Sequence, residues 1–388
     1  MTPHPDEIAQ RRVRVSGSAS EPVITERATG CCVDARLLES ARLREAALEL
    51  HRTALEIARG AGAGESRVIV RVGSRWVSRT ADGHELVQRS RLESLVQVQV
   101  AASGRTVPLL WQWAGPRPVG ALRSTAAQVA GEIRAASVAV PLEEAFAGAM
   151  VLAPELAVHF AHETVGHSLE ADNYRDYASS SGMALGNRIS AEAFTVLDGP
   201  PAEGLETSYW TDDEGFPAER TPLVDAGVVA GVMTDAAEAS RQQLPRTGNG
   251  RRSFGARQAQ PRMSALRVAR GTTRSEDLVP SVRRGLYCRG AWGGGSVEEL
   301  FVLRPAYAEW IEDGELTGML VSRLDIKGYK TSALRALCQV GDDMGVFNPV
   351  NGCGKNGQEL PVSMESPSLA FDRLTVVPLP DTSGGVVG

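Results

Sequence analysis

The chain has 388 residues, a length that suits two domains, and its 43% hydrophobic and 23% charged residues are the proportions of a globular protein rather than a disordered or fibrous one. A formal net charge of -6, with arginines scattered rather than grouped in a basic stripe, argues against a nucleic-acid partner. No apolar run is long enough to span a membrane (Pro141, Glu143 and Glu144 interrupt the best one), Met1 to Arg14 has no apolar signal core, and Cys31, Cys32, Cys288, Cys338 and Cys353 form no disulfide framework, so a cytoplasmic, reducing setting without a membrane partner is expected.

Residues 1–33 read as a loosely ordered segment. Asp34 to Gly60 carries a strong helix signal: Asp34 can cap the first turn, Leu37, Leu38, Leu43, Ala46, Leu48 and Leu50 recur in helical rhythm, and Gly60-Ala61-Gly62 stops it. Arg67 to Val72 and Arg75 to Ser78 predict a hairpin. Leu95 to Ala101 alternates valine and glutamine as a half-buried strand does, and Thr106 to Trp113 continues in that style. A second helix, Ser124 to Ala136, closes an N-terminal domain of residues 34–137.

From residue 138 to 388 glycine, proline and short β-branched runs dominate. Strands are predicted at Glu206 to Trp210, Leu223 to Val224, Val228 to Met233, Ala265 to Ala269, Phe301 to Arg304, Tyr307 to Ile311, Thr317 to Leu320 and Leu374 to Val377. Asp225-Ala226-Gly227 and Glu312-Asp313-Gly314 sit where hairpin turns belong. The fold class read from this pattern is α+β, a small N-terminal α/β domain followed by a larger β-rich domain.

One helix interrupts that second domain. Leu156 to Leu169 reads as buried, yet it contains His162-Glu163-Thr164-Val165-Gly166-His167 in a chain with only six histidines. Imidazole is a good zinc ligand, and a carboxylate beside it can take a proton from water, which is the chemistry of metal-assisted amide hydrolysis. The histidines are five residues apart, and at about 100° per residue the second would point roughly 140° away from the first on a regular helix. A widened turn or a break near Val165-Gly166 is therefore expected, with glycine tolerating the backbone angles. The hexapeptide alone leaves open a pair of ordinary histidines, one buried and one exposed.

A catalytic zinc usually has three protein ligands and one open position. Two residues compete for the third place. Glu192 follows at a plausible distance. Cys353 lies far off in Asn351 to Gly357, where Gly352 and Gly354 flank the thiol in a turn that leaves it uncovered, and Lys355 would help keep it ionised.

A series of motifs in order resembles the TldD/PmbA family of metallopeptidases, and within it the TldD-like, metal-carrying subunit. The likeness covers roughly residues 150 to 380. His162 to His167 with Ser168-Leu169-Glu170-Ala171-Asp172 is similar to the family's HExxxH segment and its acidic continuation; Asp212 to Pro217, Thr247 to Arg252, Pro261-Arg262-Met263, Gly293 to Val297 and Cys353 to Gln358 with Leu360-Pro361-Val362 follow in sequence. The resemblance implies zinc (Zn2+) held by His162, His167 and Cys353, favouring Cys353 over Glu192, with Glu163 as general base. It also implies a heterodimer with a metal-free PmbA/TldE-like subunit, a homodimer being the alternative. The implied substrate is an extended peptide bound as an added strand, and the roles known in the family include trimming modified peptides and steps in antibiotic biosynthesis. Residues 1 to about 120 depart from the family pattern, which leaves substrate choice open between general peptide degradation and one peptide-like metabolite. A non-catalytic assembly role with structural zinc is a third reading.

Around that centre, Arg251 and Arg252 are candidates to bind a substrate carboxylate or the oxyanion, or else are a structural pair. Gly294, within Gly293-Gly294-Gly295, is a candidate for close approach of a peptide backbone or belongs to a plain loop. Lys355 completes the substrate-binding candidates. Glu170 and Asp172 either orient a ligand imidazole or face solvent. His159, three residues before His162, is read as packing rather than as a fourth ligand.

Overall fold

Alternation of valine and leucine with polar residues builds the N-terminal sheet. Its strands are β1 (Asp6–Gly17), β2 (Val23–Thr29), β3 (Arg67–Ala81), β4 (His84–Gln88), β5 (Leu92–Ala102) and β6 (Arg105–Ala114), with helix α1 (Ser40–Gly60) between β2 and β3. The order is β2-β1-β3-β5-β6, with β4 also on β3, and every pairing is antiparallel. In this computed structural model the described residues are 6–17, 23–29, 40–63, 67–81, 84–88, 92–102, 105–114, 118–191, 193–199, 211–253, 256–349 and 352–379.

The valines of Leu95 to Ala101 do turn inward: Val96, Val98 and Val100 are fully buried. Helix α1 lays Leu43, Ala47, Leu50, Ala54 and Ala58 on that face, at helical spacings of three and four. Helices α2 (Pro118–Ser124) and α3 (Ala126–Val138) close the core with Leu122, Val129 and Ile133.

Three expectations need correction here. Within residues 1–33, Asp6–Gly17 and Val23–Thr29 are strands rather than loose chain; the alternation Val13-Arg14-Val15 matters more than the polar composition. The predicted hairpin across Arg67 to Ser78 is one strand, because Gly73 is paired on both sides, with Arg12 and with Glu93, and so cannot turn. The helix predicted from Ser124 to Ala136 is present as α3 but starts only at Ala126, and a separate helix, α2, precedes it; between them the Ser124 and Thr125 hydroxyls both donate to the Ala121 carbonyl, 2.8 and 3.0 Å away, in competition with the helical ladder. The Asp34 cap, with Leu37 and Leu38, lies outside the described residues.

The second half is organised around a closed ring of strands. Arg284–Val297 pairs in parallel with β8 (Phe146–Leu152); β8 pairs with Leu369–Pro378, that with Leu324–Tyr329, that with Leu300–Glu312, and Leu300–Glu312 returns to Arg284–Val297. Closure of this barrel leaves those five strands without a free edge. Glu315–Ser322 and the short β7 (Val140–Pro141) extend from it. Phe301 to Arg304 and Tyr307 to Ile311, predicted as two strands, are one. Pro305, which has no N–H to donate, sits opposite Ala291 beside a shift in register, where a strand tolerates it.

A second, six-stranded sheet contains Val196–Asp198, Thr221–Asp225, Val228–Val229, Ala265–Val268, Gly345–Phe347 and Ser363–Ser366. Of the strand expected over Val228 to Met233 only Val228–Val229 forms, and Glu206 to Trp210 lies outside the described residues. Both predicted hairpin turns are present with the paired positive φ of a two-residue turn: Ala226 and Gly227 at 46° and 79°, Asp313 and Gly314 at 49° and 81°. Helix α4 (Pro154–Ala161) packs against strands of both the barrel and the second sheet. Its Phe160 meets Phe301 and Phe371 edge-on, with ring centroids 5.6 and 4.8 Å away.

Candidate metal centre

Helix α4 does not end regularly. It widens into a π-helical turn, His162–Gly166, and then a 3₁₀ turn, His167–Leu169. The His167 N–H donates to the His162 carbonyl five residues back, which carries the second imidazole round to face the first. The two rings stand nearly perpendicular, their centroids 4.8 Å apart. The widened turn is thus where the spacing required it. The reason for glycine differs, however. Gly166 has ordinary right-handed dihedrals, φ -54° and ψ -62°. What a side chain there would meet is Met263: a Cβ would lie 2.1 Å from its Sδ.

Cys353 arrives from the far end of the chain. It is not on an uncovered turn but on a strand, Cys353–Lys355, paired with Gln358–Leu360 across the two-residue turn Asn356-Gly357, whose φ values are 49° and 74°. Gly352, at φ 68°, leads in; a Cβ there would sit 2.1 Å from the Leu360 carbonyl oxygen. Arg262, fully buried, latches the hairpin by donating to the carbonyls of Cys353 (2.5 Å) and Gln358 (3.2 Å).

The thiol sulfur is consequently 3.2 Å from Nε2 of His162 and 3.2 Å from Nε2 of His167, and the three donor atoms lie within 4.8 Å of one another. Glu192, the other candidate, lies outside the described residues. Burial pushes the Cys353 thiol up, but His167 and His162 beside it outweigh this and hold it well below the usual thiol range. Burial pushes His167 down, and Cys353 and Glu170 carry it well above the usual imidazole range. Two imidazole nitrogens and a thiol that gives up its proton readily are a donor set suited to a divalent transition-metal ion. His162 turns Nε2 toward the thiol, which makes it the nitrogen placed for such an ion, and its buried Nδ1 has no hydrogen-bond partner among the described residues.

Glu163 is buried against this cluster, one carboxylate oxygen 4.0 Å from His167 Nε2. Burial raises its pKa, but His167, His162 and a hydrogen bond from Ser296 together leave it below the usual carboxylate value. Glu170 is fully buried and does not face solvent: it accepts from His167 Nδ1 at 2.9 Å and from the Met263 N–H at 3.2 Å, and it pairs with Lys355 at 3.0 Å. It thereby fixes which nitrogen of His167 faces the thiol. Asp172 instead holds Lys355, at 2.6 Å. His159 packs edge-on against Phe347, centroids 4.9 Å apart, and burial pushes its pKa down to about 4, as expected of a packing residue.

The cluster opens into a cleft of about 640 Å³. One wall is Gly293-Gly294-Gly295 with Ser296; a Cβ on Gly294 would lie 3.6 Å from the Cγ of Glu163, so the bare backbone runs directly beside the acid. This stretch is part of the barrel strand Arg284–Val297, not a loop. Leu95 and Leu110 of the N-terminal sheet also line the cleft.

The expected substrate-binding arginines are not in it. The Arg251 guanidinium is buried and donates to the carbonyls of Met263 and Pro361, the latter at 2.8 Å, so it clamps backbone instead. Arg252 lines a separate, largely acidic depression with Asp172, Asp213, Glu214 and Glu238. Lys355 does line the cleft, but its ammonium is taken by Glu170 and Asp172. Sequence reasoning missed Arg262, visible only as the middle of a motif, and Lys330, which also lines the cleft and lies in no motif.

A sequence model described as the PmbA/TldA metallopeptidase C-terminal domain matches residues 148–378. The Metalloprotease TldD homolog of Haemophilus influenzae is 32% identical over 218 residues, 55% of this chain and 45% of that protein. The Zinc metalloprotease TldD homolog of Saccharolobus solfataricus is 27% identical over 231 residues, 58% of this chain and 51% of the other. The chain spans about half the length of the curated relatives it matches. Among solved structures, TldE from Thermococcus kodakarensis aligns over 96% of both chains with a TM-score of 0.73 at 15% identity, a likeness of fold.

Proposed function

The chain belongs to the PmbA/TldD metallopeptidase family, and we propose that it is a zinc-dependent peptidase or amidase that hydrolyses a peptide or peptide-like amide bond. The observation that carries this reading is the meeting of His162, His167 and Cys353 within 4.8 Å, with buried, ionised Glu163 on the same cleft. His162 Nε2, His167 Nε2 and the Cys353 thiolate would hold the metal. Zinc bound there supplies Lewis acidity for the amide carbonyl and for water.

The remaining steps belong to the chain's own residues. Glu163 accepts the proton of the attacking water and delivers it to the departing amine, and its lowered pKa keeps it ready as a base. Glu170 keeps His167 in one tautomer and one orientation. The backbone of Gly293-Gly294-Gly295 offers a place for an extended substrate beside Glu163. A structural metal site would have no use for a carboxylate so positioned, which disfavours a purely assembling role.

The cleft, at about 640 Å³, has the size of a small-molecule site, and this favours a short peptide-like substrate such as an antibiotic-pathway metabolite over an unfolded protein. A TldE-like subunit is the partner we propose, the fold likeness to TldE supporting a pair of related chains. The test is Glu163→Gln, assayed for bound metal and for cleavage of a peptide library, alone and with a co-expressed partner. Metal content should be retained and hydrolysis should fall by on the order of 10²-fold or more; full turnover in this variant would remove Glu163 from the mechanism.

A further inference from the structure

Two lysines line the cleft, and they differ in their surroundings. Lys355 is tied to Asp172 and Glu170. Lys330, at the start of the short helix Lys330–Arg335, is only 5% exposed, and its backbone N–H donates to the Glu299 carbonyl at 2.8 Å. Among the described residues its ammonium makes no hydrogen bond and no ion pair. A buried charge without a partner is costly to a folded protein, and the cost is relieved when something binds it. Three carboxylates, Glu163, Glu298 and Glu299, also line the cleft and repel an anion, and among the described residues Lys330 is the lining lysine whose ammonium no carboxylate holds. Burial pushes Lys330 down to about 8, with Glu163, Glu170 and Glu299 opposing the fall, so at neutral pH it still carries its proton.

We propose that Lys330 is the anion-binding residue of the cleft: it holds a carboxylate of the substrate beside Glu163, and the chain therefore selects acidic peptides or peptide-like acids. This rests on the reading of the cleft as an amide-hydrolysing site. The carboxylate has two sources, the C-terminus of a peptide or an acidic side chain, and the probes distinguish them.

Calorimetry on the zinc-loaded full chain carrying Glu163→Gln, which preserves the probes, would compare acetyl-Ala-Ala-Ala with its C-terminal amide, and acetyl-Ala-Glu-Ala-amide with its glutamine counterpart. The acidic member of at least one pair should bind on the order of ten-fold more tightly. Adding Lys330→Met should abolish that preference, and Lys330→Arg should keep part of it; Lys330→Gln serves in place of the methionine variant if that fails to fold. In the otherwise unaltered chain, Lys330→Met should raise KM for the acidic member more than it lowers kcat. Equal binding of acid and neutral probes, no binding of any probe, or a preference that survives Lys330→Met would each overturn the assignment. A chain that hydrolyses none of the probes yet shows a lysine-dependent preference would count against the peptidase reading while leaving Lys330 in its role.

Discussion

At the scale of single residues, burial and charge oppose each other throughout the centre, and charge wins where it matters. Burial alone would keep Cys353 protonated, but the two imidazoles reverse this. Because Cys353 is the proposed sulfur donor, Cys353→Ser should lower metal retention on dialysis by more than about ten-fold, the loss of one of three proposed ligands. Metal analysis showing unchanged occupancy would move the third ligand elsewhere. Arg251 illustrates what residue type alone does not reveal. An arginine in a glycine-rich motif reads equally as an anion clamp or as a backbone brace, and here its Nη1 donates to both the Met263 and the Pro361 carbonyls. Arg251→Met should therefore destabilise the fold by about 2–4 kcal/mol, since two buried acceptors lose their donor. Urea unfolding would measure this, and a change below about 0.5 kcal/mol would contradict the bracing role.

At the scale of elements, the decisive feature is the π-helical turn His162–Gly166. It was legible from spacing alone, because five residues on a regular helix cannot bring two side chains to one ion. The reason for its glycine was not legible, since it depends on Met263, nearly a hundred residues later in the chain. Gly166→Ala should cost about 1–3 kcal/mol through overpacking. Combining it with Met263→Ala should give a destabilisation smaller than the sum of the two single changes, a coupling a double-mutant cycle would detect in chemical denaturation. Strict additivity would mean that the two residues do not compete for space. The Cys353 hairpin follows the same pattern: Asn356-Gly357 announces the turn, while the latch from Arg262 that aims the thiol inward is a long-range contact.

At the scale of the molecule, the centre is where three parts of the chain meet. Helix α4, through the π-helical and 3₁₀ turns that continue it, delivers two histidines and an acid, the C-terminal hairpin delivers the sulfur, and the barrel strand Arg284–Val297 supplies a cleft wall beside them, with Leu95 and Leu110 of the N-terminal sheet also on the lining. The N-terminal core also takes in Ala306 and Tyr307 of the barrel strand Leu300–Glu312. A metal that joins such distant segments binds the folded state far better than the unfolded one. With free zinc a thousand-fold above its dissociation constant, the holo form should be about 4 kcal/mol more stable than the chelated form. This would appear as a higher denaturation midpoint at the same slope; coincident midpoints would mean that the ion is not bound by the folded centre.

From its sequence alone this protein declared its family, its strand-rich second half, its inward-facing valines, its hairpin turns and the widened turn between two histidines. All of these rest on local periodicity, on backbone-restricted residues or on motifs in order. The tertiary structure alone decided that residues 6–17 and 23–29 pair as strands, that Arg67–Ala81 runs straight, that Arg251 braces backbone, and that Lys330 sits buried in the cleft with no ion-pair partner for its ammonium among the described residues. Each of these depends on which distant segments lie alongside, and packing against remote neighbours leaves no periodic trace in the residues themselves.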